Sequence, residues 1–448
     1  MCKSRLNYVN LWNVYSAKAA ATIVFFSIAT DTRPDDTSIR VAFAVGALGL
    51  YAVLDLYVNC TWRQSAPRTT NWRIQALVAI FLVIATASAL WAGDPMRTLR
   101  AVAVAWEIFL SWLVVKYWAL RQPIPKIKTL LRLICIAIIA LAGLLSLELS
   151  TNQLIHQFLV NSLGMSMSIP NFYVIGEHHI YVSPQFLSQH VGTLSYLFWP
   201  VVLGLSITIQ RGRKSLIALF VALTLISVSI SINETAMLAM TIGIGAFLVA
   251  SILPRTAVTL VGAIAVMATM AIVPLTYISH DMLQLWNNPY IPPSGQGRIH
   301  IWNQIAHAIV RSTPQEMLRG HGVVHLQALL YNGTGFIWEH ALAYNVFLQT
   351  WYEVGLLGAV VLLVIVLVIL GDIRRLPRYA MCCALGAFVV VIMSLVTTAW
   401  ELWVPWHLGL IGLVAVVSTL LNQVLVRGWS STKSGIDGKA QSAQYLSL

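Results

Sequence analysis

Charge is what this chain has least of. Only 10% of its 448 residues are Asp, Glu, Lys or Arg, whereas 58% are hydrophobic and the mean hydropathy is +0.76; ordinary soluble domains are about 25% charged. Apolar segments recur from one end of the chain to the other, so the shortage excludes a soluble domain with a single anchor and implies a polytopic membrane protein. Cysteine is sparse too. Cys2, Cys60, Cys135, Cys382 and Cys383 are all expected inside or within spans, which leaves no disulfide framework outside. The histidines show no HExxH spacing and no Cys partner, so no metal site is expected. No cleavable signal peptide is evident: the first hydrophobic stretch is interrupted by Lys18, lacks a small-residue cleavage site before DTRPDD, and reads as the first span. Nor is there an internal repeat strong enough to suggest the inverted halves of many secondary transporters.

A membrane-crossing helix needs roughly 20 mainly apolar residues. Twelve candidate spans fall near 11–29, 41–58, 74–92, 101–120, 129–148, 190–210, 215–232, 235–253, 257–277, 350–370, 379–398 and 404–425. The expected fold class is an all-α polytopic membrane protein of about 12 transmembrane helices. Residues 1–277 would hold helices 1–9 with an outer loop near 149–189, and 278–349 a large outer loop between helices 9 and 10. Residues 350–427 would hold helices 10–12, and 428–448 a tail of small polar residues expected to be disordered.

Positively charged short loops stay in the cytoplasm. With the N-terminus inside, the inner segments hold 19 Lys and Arg, while the outer ones hold 7: Arg33, Arg40, Arg97, Arg100, Arg298, Arg311 and Arg319. This predicts both termini cytoplasmic. It also explains the net charge of +12 without nucleic acid, because the basic residues meet anionic lipid. Ten histidines, all but His407, fall in or beside the two large outer loops, where most read as polar interfacial residues. Ionisable residues within spans are costly and few. Lys18 and Asp55 are expected to pair or to snorkel; Glu107 is open to other roles; Glu234 in SINET and Glu401 in WELW are placed to rim the cavity of the large outer loop.

In that loop, SGQGRIHIWNQIAHAIVRSTPQEMLRGHGV opens with a Gly-rich turn and then sets Ile299, Trp302, Ile305, Ile309 and Val310 at helical spacing up to Thr313–Pro314. Arg298 is expected at the N-terminal edge of this helix, where backbone N–H groups favour an anion, and Arg319 in RGHG, a flexible turn. Arginine forks suit phosphate oxygens or lipid headgroups. Further on, IWEHALAYNVFLQTWYEVGLLG precedes an unbroken apolar run. Helical steps from His340 put Tyr344, Phe347, Leu348 and Trp351 on one face, with His340 at the outer end of a helix entering the bilayer and Asn345 on an adjoining face. An imidazole there can accept a proton at neutral pH, although a histidine at a span mouth is more often structural.

The ordered combination of Gly297–Arg298, Trp302, Gly320 and Gly322, His340 with Asn345, Leu348–Gln349 and Glu353–Val354–Gly355–Leu356–Leu357–Gly358 resembles the membrane-embedded O-antigen ligase and polymerase superfamily. These are bacterial enzymes acting on undecaprenyl-diphosphate-linked oligosaccharides. The resemblance implies a GT-C-like glycosyltransferase of the bacterial inner membrane, its active site facing the periplasm, needing no cofactor. It implies as partners an undecaprenyl-diphosphate-linked oligosaccharide, an acceptor glycan or glycolipid, membrane lipids and a chain-length regulator. His340 would be the general base, Arg298 and Arg319 would bind the diphosphate, and Asn345, Tyr344, Glu353 and Glu234 would support them. Two departures stand out. Members often carry His immediately before the Asn, where this chain has Tyr344, so the catalytic place falls to either His340 or the Tyr344–Asn345 pair; and Glu234 stands where a basic residue is common. An O-antigen or exopolysaccharide polymerase is the first reading and a ligase to lipid A core the second. A lipid-linked oligosaccharide flippase is the reading from another class, though it would predict polar residues lining several spans and little need for so large an outer loop.

Overall fold

The computed structural model describes residues 45, 47–55, 72–163, 172–174, 180–182, 187–231, 233–324, 345–397 and 402–433. Residues 47–55 are helical. There follow α1 (Arg73–Ala87), α2 (Pro95–Arg121), α3 (Ile124–Ser150), α4 (Leu154–Leu163), a hairpin of β1 (Phe172–Val174) and β2 (Ile180–Val182), α5 (Ser188–Thr208), α6 (Arg213–Ile230), α7 (Glu234–Ile252) and α8 (Pro254–Tyr277). The loop region holds a π turn (Ile278–Met282), a 3₁₀ turn (Leu285–Asn287), α9 (Pro293–Arg311) and α10 (Pro314–Arg319); then come α11 (Val346–Glu353), α12 (Gly355–Ile373), α13 (Arg378–Thr397) and α14 (Pro405–Lys433). The hairpin is antiparallel, with Tyr173 opposite Tyr181, and it is the one exception to helix among the regular elements of the described residues.

Ten of the described helices are long and apolar enough to cross a membrane: α1 extended to Leu90, α2, α3, α5, α6, α7, α8 extended to Met282, α12, α13 and α14. The protein is thus a helical, multi-pass membrane protein. These ten match ten of the expected spans. Of the remaining two, 11–29 lies outside the described residues and 41–58 is described only at 45 and 47–55. Three boundaries differ from expectation. The span expected near 350–370 is broken at Val354, between α11 and α12; α9 begins at Pro293, so the Gly-rich SGQG is already helical; and α14 runs into the expected tail as far as Lys433.

The chain divides into two compact units, Met1–Thr69 with Ile108–Thr241 and Gly409–Leu448, and Thr70–Glu107 with Ile242–Leu408. In the first, α5 is the buried centre, packed on α3 and α6. Gly204 makes the closest approach possible: a Cβ there would run into Cys135 Sγ. Ser146 Oγ of α3 donates to Leu223 O at 2.8 Å and meets Ser227 Oγ at 2.9 Å on α6, the short polar contact that holds apolar helices together where lipid offers no alternative partner. Asp55 pairs as expected. Its carboxylate, 1% exposed, takes Lys126 Nζ at 2.6 Å and Trp118 Nε1–H at 2.7 Å. In the second unit, Ala257, Val258 and Ala265 of α8 pack with Val366 and Leu370 of α12 and Met381 and Leu385 of α13.

Removing one partner of a buried ion pair strands the other. Lys126→Met is therefore expected to lower stability in detergent by about 3 kcal/mol, read by thermal or denaturant unfolding. Asp55→Asn, which keeps an acceptor for Trp118, should cost less.

Candidate functional site

The polar residues that precede α12 are ordered by Asn345. Its φ and ψ of −119° and 121° are extended, so helix starts only at Val346, and its Oδ1 accepts the N–H groups of Phe347 (3.0 Å) and Leu348 (3.4 Å). This N-cap satisfies donors that the first helical turn leaves unpaired. It also ends the idea of one continuous helix counted from His340. Helical steps of four put Gln349 and Glu353 on the same face as Asn345, and the three are 1%, 1% and 0% exposed. A buried carboxylate needs strong donors. Gln349 Nε2 donates to Glu353 Oε2 at 3.0 Å and Trp403 Nε1 donates to the same oxygen at 2.7 Å, while Leu402 N–H donates to Gln349 Oε1 at 2.9 Å. The Trp403 ring lies parallel to Phe81 of α1, with centroids 6.0 Å apart.

The RGHG segment, expected as a flexible turn, is docked instead. His321 N–H donates to Tyr352 O and Gly322 N–H to Glu353 O, both at 2.9 Å. Gly320 (φ 75°) and Gly355 (φ 72°) face each other across this joint, and a Cβ on Gly355 would meet Gly320 N and Leu318 O at 2.5 Å. Only glycine combines that left-handed backbone with that approach. Beyond it, Ser88 Oγ accepts from Val323 N–H (3.2 Å) and Thr98 Oγ1 donates to Val323 O (2.8 Å).

His321 stacks on Tyr352 with centroids 4.4 Å apart; its Nε2 lies 2.9 Å from Ser312 Oγ and its Nδ1 3.9 Å from Glu316 Oε1. Glu316 closes a capping box with Thr313, and those hydrogen bonds hold its carboxyl below the usual range. Tyr352 is pushed the other way, to about 12, by burial and then by the Glu353 and Glu316 carboxylates. Its phenol stays protonated at neutral pH and is no general base.

α9 positions Arg298. Ile305 and Ile309 of α9 pack on Leu348 and Tyr352 of α11, with Trp302 and Trp351 alongside. At the end of α8, His307 Nδ1 meets Tyr277 Oη at 2.8 Å, and His300 Nδ1 meets His280 Nε2 at 3.1 Å. Nearer the middle of α8, Trp351 Nε1–H donates to Thr269 O at 2.7 Å. These contacts fix directions: α9 runs back along the end of α8 and in the same sense as α11. Arg298 precedes Trp302 and Ile305 on the packing stripe and is therefore carried toward the Asn345 end of α11.

The two arginines are separated by this arrangement. Arg319, exposed at the end of α10, sets its guanidinium 5.3 Å from the Trp91 ring, at the Glu353 end of α11. α9 alone covers about 20 Å between Arg298 and Arg311. Arg298 also sits inside its helix rather than at the edge. The helix begins five residues earlier, at proline, which has no N–H, and Gly295 and Gln296 already donate to Pro292 O at 2.8 and 3.0 Å. The expected cluster of free backbone donors beside Arg298 is thus mostly spent. Glu234 heads α7 in the first unit, where it is exposed. His340 and Tyr344 lie outside the described residues, as do Lys18, His178, His179, His325 and Glu401. Glu107 is exposed partway along α2, and His190 is buried on α5.

Sequence reasoning singled out Asn345 and Glu353, which the structure shows as an N-cap and a buried hydrogen-bond acceptor, but did not single out Trp403, His321 with Ser312, or the His280–His300 pair. The Gln349–Glu353 spacing of four is a readable signal for one of these bonds; no local pattern pointed to Trp403. The sequence matches no model of a known protein family and no curated protein.

Trp403→Phe keeps the ring against Phe81 and removes one donor from the buried Glu353 carboxylate. The expected loss is about 2 kcal/mol, seen as a lower unfolding temperature in detergent. Gly355→Ala should cost more, since it adds both a left-handed strain and a clash with backbone atoms that cannot move aside.

Proposed function

We propose that this protein is a membrane glycosyltransferase that polymerises oligosaccharide units carried on undecaprenyl diphosphate, on the periplasmic side of a bacterial inner membrane. One observation carries the reading beyond sequence resemblance. The helix bearing Gly297–Arg298 and Trp302 packs directly on the helix that runs from Asn345 to Glu353 and leads into α12, so the two resembling blocks form one body.

In the proposed transfer, the acceptor hydroxyl oxygen attacks C1 of the donor sugar, the bond from C1 to the diphosphate oxygen breaks, and undecaprenyl diphosphate leaves. The hydroxyl proton passes to His340, whose imidazole is basic enough at neutral pH. Arg298 stabilises the charge that grows on the leaving diphosphate, an interaction worth more in the transition state than in the ground state. Arg319, at the other end of α11, is suited to an interfacial headgroup or phosphate. Asn345 holds the entry to α11 through its cap.

The test is transfer by purified protein from a lipid-linked repeat isolated from cells that make it, with and without a lipid A core acceptor. Repeats in a ladder are expected. A product only when core is added would make the protein a ligase, and net movement of the lipid-linked repeat across a vesicle membrane without any new glycosidic bond would make it a flippase. Arg298→Ala and His340→Ala are each expected to lower turnover about a hundredfold or more; normal chain length from both variants, at wild-type expression, would overturn the enzyme reading. Tyr344→Phe distinguishes the two candidates for the base: full activity leaves the role with His340.

A further inference from the structure

Beyond Arg298, toward the turn that joins α8 to α9, lies a polar and aromatic cluster that the proposed transfer does not use. The π turn at Ile278–Met282 and the 3₁₀ turn at Leu285–Asn287, entered through Gln284 with a left-handed φ of 47°, bring Trp286 against His280 with ring centroids 5.6 Å apart and planes 20° apart. Trp286 keeps 41% of its surface exposed, and its ring centroid is 6.4 Å from that of His300. Beneath it runs a line of hydrogen bonds: Asp281 Oδ1 to His280 Nδ1 at 2.6 Å, His280 Nε2 to His300 Nδ1 at 3.1 Å, and His300 Nε2 to Gln304 Nε2 at 3.1 Å.

One proton per link satisfies this line when both imidazoles are neutral. His280 donates to Asp281, His300 donates to His280, and Gln304 donates to His300. Burial, with His280 beside it, holds His300 below the ordinary imidazole range, in keeping with the neutral form. Asn303 Nδ2 donates to the same carboxylate oxygen, Asp281 Oδ1, at 3.4 Å. Asn303 is only 6% exposed, yet its Oδ1 has no hydrogen-bond partner among the described residues. A buried amide oxygen left over in this way costs free energy unless something occupies it.

An exposed indole face, a carboxylate with 48% of its side chain exposed, and an amide oxygen looking for a donor call for a ligand with an apolar face and several hydroxyls. A pyranose ring is such a ligand. Its C–H face carries partial positive charge and suits the negative face of an aromatic ring, and its hydroxyls donate to carboxylate and amide oxygens. No group of three His, Cys, Asp or Glu side chains among the described residues is placed to hold a metal ion, so the pair of imidazoles lacks the further ligands a structural metal takes.

We infer that Trp286, with Asp281, Asn303 and Gln304, forms a saccharide-binding subsite that holds the glycan while its diphosphate end lies at Arg298. The assignment rests on the proposed function for what the sugar belongs to. His300 and Arg298 are two residues apart on α9, about 3 Å along its axis but on nearly opposite sides of it, so a glycan held at Trp286 reaches Arg298 by passing round the first turns of the helix.

The test is binding of the lipid-free oligosaccharide, released by mild acid from the same repeat, to the full-length protein in nanodiscs, followed by titration calorimetry. Wild type is expected to bind; Trp286→Ala and Asp281→Asn should each weaken binding about tenfold or more, and Trp286→Phe should keep most of it. Unfolding temperatures check that the variants are folded, and if Trp286→Ala is not, Asp281→Asn and Gln304→Ala carry the comparison. No binding by wild type, or unchanged affinity in Trp286→Ala, would overturn the subsite; the latter is what a simple interfacial anchor at Trp286 gives. The two proposals fail separately. Saccharide binding without any transfer removes the transferase and leaves the subsite, whereas normal transfer and binding by Trp286→Ala does the reverse.

Discussion

A carboxylate with no exposed surface, Glu353, holds together the place where the loop region becomes a span. Its side chain takes hydrogen bonds from Gln349 and Trp403, and its carbonyl takes one from Gly322. Loss of hydration makes such a group costly unless every nearby dipole is arranged for it. That requirement fixes three separate pieces of chain at once: α11, the Leu402–Trp403 turn before α14, and the RGHG segment after α10. The paired glycines follow from the same constraint, since Gly320 and Gly355 let two backbones meet at a distance that side chains forbid.

The polar chemistry around α11 therefore separates into two ends with different physics. Around Glu353, buried groups are tied together by hydrogen bonds to its Oε2, and Arg319 and His321 lie against the aromatic rings of Trp91 and Tyr352. Toward Asn345 and Arg298 the first turn of α11 is buried, while α9 begins among exposed and half-buried residues and the turn after α8 adds the part-exposed Trp286 ring against a hydrogen-bonded histidine pair. The proposed transfer is assigned to the second end, because reactants need accessible groups while a packed joint needs satisfied ones. Arg298 reaches this end because α9 and α11 run in one sense. Reversing either helix would have placed it beside Glu353.

The positions of spans were legible because hydropathy is a local sum over about 20 residues. Asp55 was legible as a residue that must pair, since an unpaired carboxylate in a span is costly; its partner was not, because Lys126 is 71 residues away. The helix holding Trp302 was read from its apolar spacing, but its start was placed too late. The Gly-rich stretch signalled a turn, whereas Pro292 and Pro293 preset a helical entry ahead of it.

What the sequence determined alone was the class of protein and where its polar residues gather: a chain this apolar has to cross a bilayer many times, and its few polar residues collect where segments leave it. Tertiary structure decided which of those residues are braces and which face outward. Trp403 and Glu353 are 50 residues apart, and Thr98 and Val323 are 225 apart. Hydrogen bonds over such separations depend on how helices pack, a property of the whole unit that no window of sequence contains.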